Sequence, residues 1–430
     1  MNASALMLAK QYFGLLLVLL TLRSAQAEPQ LPKVQVQLRA DPSTRSFNCH
    51  YQFTLPAADT STRVVLRLNR AFRVQQVQAK GAASVRQTRS YYPYFADTLQ
   101  RVEVRFKRGA RQARTVSLSY SGTLDTLFAT AAVLEFSGHT GWLPFQPLCE
   151  YEPVDYELRV KVPAGYQVVS SADLLKSGAG AWQFRGRTGQ IEITALIGRQ
   201  FSRAALAARP QVQIVKAGAT TTRADTLLLR KAVDVVGFYN RTIGRQDSVK
   251  RFTVLLPGTD RDAFGLREDA TVITYPDFNV SQRGAELILA HEISHKWWGE
   301  GSVHNYNDWL NEAVATYSSL LYLQARGDTA GYRIELNKRA QTLTDSTPAI
   351  IGFESSQHPY QVFRQVIYNK GTVVLAALHG YLGDKQFIQL LATAAGRRTS
   401  TTEELLQLVQ AQAGPEARTW LRAKLERVGR

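Results

Sequence analysis

The chain has 430 residues, of which 45% are hydrophobic and 20% charged, a composition that excludes a disordered or fibrous protein. A single hydrophobic core rarely extends over so long a chain, so the length predicts two domains. The formal charge of +17 does not indicate a nucleic-acid-binding or membrane-surface protein, because lysine and arginine alternate with apolar residues along predicted strands such as residues 63–68 and 101–105.

The first 27 residues are typical of a signal peptide. Lys10 precedes an apolar run over residues 12–22, which is too short to span a bilayer comfortably, and Ala25 and Ala27 are the small residues that a signal peptidase recognises. The sequence therefore predicts a mature chain that begins near Glu28, is exported to the periplasm or the extracellular space, and has no transmembrane segment.

The chain has two cysteines, Cys49 and Cys149. An oxidising compartment permits a disulfide between them, but bridging depends on their separation, so the sequence leaves open whether they are bonded or free. Neither has the spacing of a metal ligand, which excludes thiolate zinc chemistry.

The first half of the chain has the alternation of a β domain. Apolar residues occupy every second position in several stretches between residues 31 and 201, most clearly in residues 34–38, 116–120 and 156–162. This period predicts an antiparallel β sandwich or barrel over residues 28–205.

The second half, residues 206–430, is dominated by helical spacing. Two short strands are predicted near residues 252–256 and 271–275. Helices are predicted near residues 281–298, 309–326 and 368–382, followed by amphipathic stretches over residues 403–412 and 417–428.

The segment from His291 to His295 carries the strongest chemical signal. Two histidines four residues apart on a helix project from one face, a turn apart, and reach the same metal ion. Glu292 lies on the same general side without sharing a coordination position, which suits it to accept a proton from a water at the metal. The pattern predicts a zinc site of the metallopeptidase type.

A catalytic zinc requires a third protein ligand and one open position. Glu312 is the preferred candidate, because it begins the next predicted helix after a polar loop and its carboxylate can face the histidine helix. His304, within the loop, is the rival ligand. A loop histidine near an active site is more often solvated or in contact with substrate.

Three elements together resemble the M1 family of zinc aminopeptidases, which includes aminopeptidase N and leukotriene A4 hydrolase. They are residues 291–299, the Trp-Leu-Asn-Glu element at residues 309–312 and the Gly-Leu-Arg-Glu-Asp element at residues 265–269. The resemblance implies a β domain followed by a thermolysin-like catalytic domain, one bound zinc ion and a peptide substrate. Sixteen residues separate His295 from Glu312, two fewer than is typical of the family, but the intact Trp-Leu-Asn-Glu element implies that Glu312 is the zinc ligand.

The resemblance also implies roles for residues outside the zinc motif. The element at residues 265–269 corresponds to the family's exopeptidase element, so Gly265, Arg267 and Glu268 are assigned to substrate binding, with Glu268 holding the free α-amino group. Arg267 and Asp269 depart from the family pattern, and a cation at this position can favour acidic side chains in the substrate. Tyr368 resembles the family tyrosine that donates to the oxyanion.

The preferred function is therefore a zinc aminopeptidase with Glu292 and Tyr368 as catalytic residues. Many family members continue into a helical domain that roofs the cleft, whereas this sequence stops at Arg430, which leaves a zinc endopeptidase with an open cleft as an alternative. A non-catalytic peptide-binding protein of the cell envelope is a third possibility, and a leukotriene-hydrolase-like activity has no support from a lipid-binding pattern. The oligomeric state is left open.

Overall fold

The computed structural model describes residues 30–107, 113–207, 209–218, 220–259, 263–268, 270–274 and 278–430. The predicted signal peptide, residues 1–27, therefore lies outside the described residues. Residues 32–430 form one compact unit.

A β sandwich forms the first part of this unit. Within the described residues it consists of a seven-stranded sheet that faces two three-stranded sheets, and its core contains the inward apolar side chains of all three. The strands are β1 (Lys33–Asp41), β2 (Ser46–Leu55), β3 (Arg63–Leu68), β4 (Arg73–Ala79), β5 (Ala82–Tyr92), β6 (Asp97–Phe106), β7 (Arg114–Thr123), β8 (Val133–Phe136), β9 (Pro153–Lys161), β10 (Gln167–Val169), β11 (Asp173–Gly178), β12 (Ala181–Gly189) and β13 (Ala195–Gly198).

The strand order of the large sheet is β11-β12-β9-β1-β2-β7-β4, and the small sheets are β10-β13-β8 and β3-β6-β5. Alternation along β1, where Val34, Val36 and Leu38 are buried and the residues between them are exposed, assigns one face of the sheet to the core and the other to solvent. The β1–β9 pair is parallel, whereas the sequence predicts an antiparallel sandwich. The other pairs of this half are antiparallel, so the predicted order of a β-rich domain followed by a mostly helical region is confirmed.

A second sheet begins the other half, with the strand order β14-β15-β16-β18-β17. The predicted domain boundary between residues 205 and 206 stays a prediction, and the first strand of this sheet lies just before it. The strands are β14 (Phe201–Ala205), β15 (Gln211–Ala217), β16 (Arg251–Leu256), β17 (Phe264–Leu266) and β18 (Thr271–Ile273).

Helices pack around this sheet and form the larger core. At its centre lies a helix in which nearly every side chain is buried, the one that begins at Trp309. The α-helices longer than one turn in the described part of the chain are α1 (Arg223–Arg241), α2 (Arg283–Ser294), α3 (Trp309–Ala325), α4 (Thr329–Gln341), α5 (Gly371–Leu382), α6 (Asp384–Gly396) and α7 (Thr402–Glu426).

Helix boundaries differ from the prediction at two places near the site. The histidine helix is predicted to reach residue 298 but ends at Ser294, after which the chain continues in turns. The helix predicted to begin at residue 368 begins at Gly371, because residues 364–370 form a π-helical turn before it. Such π-helical turns commonly accompany functional side chains within helices.

Apolar packing joins the two sheet systems. Val133 and Leu196 of the sandwich contact Leu255, Leu266 and Ile273 of the second sheet. The short strand β17 is therefore supported on one side by the sandwich. This support matters for the site, because β17 leads directly into the predicted exopeptidase element.

Both cysteines are free thiols, and Cys49 is buried in the sandwich core. Burial raises the pKa of Cys149 to about 11, so this thiol is protonated and unreactive at neutral pH. Among the described helices, none combines the length and the apolar character that a membrane crossing requires.

Candidate metal centre and active site

Helix α2 positions the two histidines of the zinc motif. Its apolar side, which includes Leu289, Ala290 and Ile293, is buried in the core, and this orientation turns His291 and His295 towards the neighbouring helix. The two Nε2 atoms lie 3.1 Å apart. The spacing of four residues therefore brings both imidazoles to one point, as the sequence predicts for a shared ion.

Glu312 reaches the same point from the first turn of α3. Its Oε2 lies 3.3 Å from His291 Nε2 and 3.9 Å from His295 Nε2. Ligands bound tetrahedrally at zinc distances of about 2.0–2.1 Å are about 3.3 Å from one another, so the three separations fit one zinc ion. The ligand atoms of these three side chains all lie within 4.8 Å of one another. Among the described residues, they form the group that could hold a metal ion.

The carboxylate of Glu312 has unmet bonding capacity that a metal would satisfy. Its Oε2 is buried and accepts no conventional hydrogen bond within the described residues. Burial by itself raises the pKa of Glu312, but the nearby His291 and His295 outweigh burial and lower this pKa to about 2. The group is thus an anionic oxygen beside two imidazole nitrogens, a donor set that favours zinc.

Outer contacts orient both imidazoles. His295 Nδ1 donates a hydrogen bond to the carbonyl oxygen of Trp298 at 2.7 Å, which leaves Nε2 as the free lone pair. His291 Nδ1 lies 3.3 Å from Thr316 Oγ1 of α3. Such partners fix ring orientation and tautomer in zinc sites, so the histidines are held ready for an ion.

His304, the rival ligand, is engaged elsewhere. Its Nε2 lies 2.8 Å from Oε2 of Glu150, a carboxylate buried in the sandwich that also accepts from the hydroxyl of Tyr92. The structure therefore does not bring His304 to the other three ligands. It instead joins the loop before α3 to the sandwich.

Glu292 and Tyr368 flank the three ligands. Glu292 is partly exposed on α2, between the two histidines. The ring of Tyr368 stacks on His291 with 6.2 Å between centroids and 14° between planes. Burial and the neighbouring Glu312 raise the pKa of Tyr368 well above its ordinary value, so the phenol keeps the proton that it would donate to an oxyanion.

The π-helical turn places this tyrosine. At the end of the turn, the buried Lys370 donates from Nζ to the carbonyl oxygens of Pro348 at 2.8 Å and Arg427 at 2.6 Å. The guanidinium carbon of Arg364 lies 4.5 Å from the centre of the Tyr368 ring. Lys370 thus anchors the C-terminal end of the turn, and the Tyr368 ring is in contact with both Arg364 and His291.

The predicted exopeptidase element runs beside α2. A Cβ atom on Gly265 would lie 2.2 Å from the carbonyl oxygen of Glu292, so only glycine permits this approach of β17 to the helix. Glu268 follows two residues after the strand, and Asp269 lies outside the described residues. Gly265 thus contributes a close contact with the backbone of α2, whereas Arg267 and Glu268 contribute their charged side chains to an ion pair.

Glu268 belongs to an ion-pair cluster of four residues. Its carboxylate contacts the guanidinium groups of Arg267, at 3.0 Å, and Arg398. The same two arginines also contact Glu300, Arg267 at 2.7 Å. Burial raises the pKa of Glu268, but the two arginines outweigh burial, and the net effect is a lowered pKa. Glu268 is ionised, and two cations already balance its charge.

Sequence reasoning missed Glu300, Arg398 and the outer contact Thr316. Arg398 is 130 residues from Glu268 along the chain, so no local pattern connects them. The backbone of Arg398 has a positive φ of 55°, which is typical of a turn but does not indicate that its side chain contacts Glu268. Thr316 lies four residues after Glu312 on α3, and this helical spacing is the one signal that places it on the ligand side.

The comparisons with known proteins agree with this geometry. Residues 270–417 match the model of the peptidase family M1 domain. Curated relatives include the tricorn protease-interacting factor F2 of Thermoplasma acidophilum, 27% identical over 139 residues, and a probable aminopeptidase 2 of Sulfurisphaera tokodaii, 29% identical over 143 residues. Each match covers 29% of this chain but only 17% and 18% of those relatives, so the chain spans less than a fifth of their length in these alignments.

Solved structures show the same fold over nearly the whole chain. A mutant of the M1 zinc metallopeptidase of Deinococcus radiodurans has a TM-score of 0.71 and 21% sequence identity, covering 93% of this chain and 94% of that one. A second structure of that mutant, bound to a Tyr-Ser-Ala substrate, has a TM-score of 0.69. A related structure is described as a two-domain M1 zinc metallopeptidase.

Proposed function

Because residues 270–417 match the model of the peptidase family M1 domain, we propose that this chain is a zinc-dependent aminopeptidase that removes N-terminal residues from peptides. The observation that carries the proposal is the convergence of His291, His295 and Glu312 within 4.8 Å, with the ring of Tyr368 stacked on His291. The aminopeptidase names of the curated relatives support the same activity.

One zinc ion held by His291, His295 and Glu312 would supply a Lewis acid that polarises the scissile carbonyl and acidifies a water. Glu292 accepts the proton of the attacking water and delivers it to the departing amine, a general base that then serves as general acid. The hydroxyl of Tyr368 donates to the carbonyl oxygen as negative charge develops there. Glu268 binds the substrate's α-ammonium and so places the first peptide bond at the reacting groups.

A zinc endopeptidase is a second candidate, favoured by one observation. The carboxylate of Glu268 already contacts Arg267 and Arg398, which balances the charge that would attract a free α-ammonium. An endopeptidase requires the zinc ligands and Glu292 but not Glu268. The two candidates therefore differ in whether a free amine is needed.

The deciding experiment compares aminoacyl-p-nitroanilides that have free amines with the same compounds after acetylation. We expect release of nitroaniline from the free-amine substrates alone, abolished by a chelator and restored by zinc. The matched control is Glu292→Gln, which keeps the ligands but lacks the base. Equal cleavage of acetylated substrates would instead support the endopeptidase, and inactivity of the zinc-loaded wild type would contradict both.

We further propose that the chain is exported, on the basis of the apolar run and the small residues at positions 25 and 27. Peptide hydrolysis would then take place in the periplasm or outside the cell. N-terminal sequencing of the protein recovered from the expressing cell tests this. A first residue at or near Glu28 is expected, and retention of residues 1–27 would contradict the proposal.

A further inference from the structure

The solvent face of the seven-stranded sheet contains a hollow of about 560 Å³, on the side of the sheet opposite the sandwich core. Because paired strands align their outward side chains, the register brings residues from six strands into one continuous row. From β11 to β7 this first row contains Lys176, Gln183, Arg159, Gln37, His50 and Ser119.

A second row runs beside the first, two residues further along each strand. From β9 to β4 it contains Lys161, Arg39, Asn48, Ser121 and Arg73. Strands are about 4.8 Å apart, so six strands place the ends of the first row about 24 Å from each other. A surface of this length suits an extended polymer better than a small anion.

The two rows have cations without carboxylates. The side chains of Arg39, Lys161 and Lys176 are exposed and form no ion pair with any described residue. Arg159 has a carboxylate partner, Glu157, at a distance of 3.8 Å. A third row lies beside the first, on the side away from the second row, and its arginine is paired: Arg185 forms an ion pair with Glu157 at 2.9 Å. The residues that line the hollow thus include no carboxylate, and three of its four cations, Arg39, Lys161 and Lys176, have no ion-pair partner among the described residues.

Apart from the cations, the two rows contain amides, hydroxyls and the imidazole of His50. Gln37, Asn48 and Gln183 each present an amide that both donates and accepts, and their side chains hydrogen-bond to none of the described residues. Neither row contains Phe, Tyr or Trp, the platforms on which single-stranded nucleic acids stack their bases. Tyr120 and Trp182 also line the hollow, but they belong to the core-facing side of their strands and pack into the sandwich core. Amides suit the hydroxyl groups of sugars, and the unpaired cations suit negative charge.

We propose that this face of the sheet binds an anionic polysaccharide, a chain of sugars that bear carboxylate or sulfate groups. The amides bind sugar hydroxyls, while Arg39, Lys161 and Lys176 bind the acidic groups along the polymer. The binding surface is separate from the peptidase residues, none of which lines the hollow. It would hold the protein at an acidic polysaccharide without occupying the peptide cleft.

The test uses polygalacturonate as the anionic probe and dextran as its neutral counterpart, in affinity electrophoresis with the intact protein. We expect polygalacturonate to retard the wild type and dextran not to retard it. The double variant Arg39→Glu/Lys161→Glu should bind polygalacturonate about tenfold more weakly, because it replaces two unpaired cations in the hollow with anions.

Arg230→Glu/Arg333→Glu is the matched control, because it changes the net charge equally at exposed helical positions that form no ion pair with described residues. This control should retain wild-type affinity, and both variants should keep the wild-type melting temperature and peptidase rate. If both double variants lost affinity for polygalacturonate equally, net charge alone would explain the binding, and the proposal would be overturned. Absence of binding would overturn it too, as would tighter binding of oligothymidylate, which would indicate a nucleic-acid surface.

Discussion

Gly265 lies so close to the carbonyl oxygen of Glu292 that a Cβ atom at this position would be 2.2 Å from it and 3.1 Å from His295 Cβ. The strand β17, which leads to the proposed substrate-binding element, and the helix α2, which carries the proposed base Glu292, are therefore in close contact. We propose that this contact sets the position of Glu268 relative to Glu292 and the zinc ligands, and a side chain as small as that of alanine at position 265 would prevent it.

Gly265→Ala should consequently lower both stability and activity. Overpacking against backbone costs about 1–3 kcal/mol, and displacement of the strand should reduce kcat/KM at least tenfold. Gly284→Ala is the control, because its added Cβ meets no atom within 4 Å and alanine favours a helix. Thermal melting and kinetics of the two variants provide the check. Equal behaviour of both would show that the contact has no role.

Tyr368→Phe should lower kcat by about 10²–10³-fold while KM and zinc content stay near the wild-type values, because the missing hydroxyl acts on the developing oxyanion. Tyr360→Phe changes a tyrosine of the same segment that is 65% exposed and should have little effect. Steady-state kinetics with zinc analysis separates the two. A Tyr368 variant with wild-type kcat would remove the phenol from the mechanism.

Arg398→Ala should strengthen the binding of free-amine substrates. The substitution removes one of the two guanidinium groups that balance Glu268, so the carboxylate attracts the α-ammonium more strongly. We expect KM to fall severalfold with kcat nearly unchanged, and no such change in Arg397→Ala, whose side chain is exposed and forms no ion pair with described residues. A higher KM would mean that Arg398 positions Glu268 rather than competing with the substrate.

Glu103 makes part of the stability dependent on pH. Hydrogen bonds from Arg63, Arg101 and Arg105 lower its pKa from 4.5 to about 2. A pKa below the unfolded value stabilises the fold fully above pH 4.5, and this contribution is lost as the pH falls towards 2. Because two of the arginines are more than half exposed, solvent reduces the contribution to about 1 kcal/mol.

Glu103→Gln should therefore unfold more easily at pH 7 than the wild type, and the difference should shrink between pH 4.5 and pH 2. Glu416→Gln, at an exposed position, is the control and should follow the wild-type curve. Urea unfolding across this pH range measures both. A constant difference between Glu103→Gln and the wild type at all pH values would contradict the assignment.

The sequence alone predicted the parts of the fold that depend on local periodicity. Alternation in residues 34–38 and 116–120 predicted the strands β1 and β7, and the apolar residues before His291 predicted the helix α2. Helix α4 was not predicted, because it lies mostly exposed on the surface and lacks a clear apolar stripe. The π-helical turn before Gly371 also has no periodic signature, since it differs from an α-helix by one residue in a single turn.

The candidate site divides in the same way. Spacing within one helix was sufficient to propose His291 and His295, and a short motif was sufficient for Glu312. The contact of Arg398 with Glu268 could not be predicted from the sequence, because it depends on how α6 and the loop after it pack against the second sheet. The hollow on the sandwich is similar: its lysines and arginines are scattered along the sequence, and only the strand register gathers them.

The zinc content of the purified protein, measured after dialysis against metal-free buffer, tests directly whether His291, His295 and Glu312 bind a metal ion. We expect one zinc ion per wild-type chain and almost none in Glu312→Ala, because two imidazoles alone hold the ion much more weakly. A wild-type chain without zinc, or a Glu312→Ala variant that retains it in full, would contradict the metal centre on which the proposed function rests.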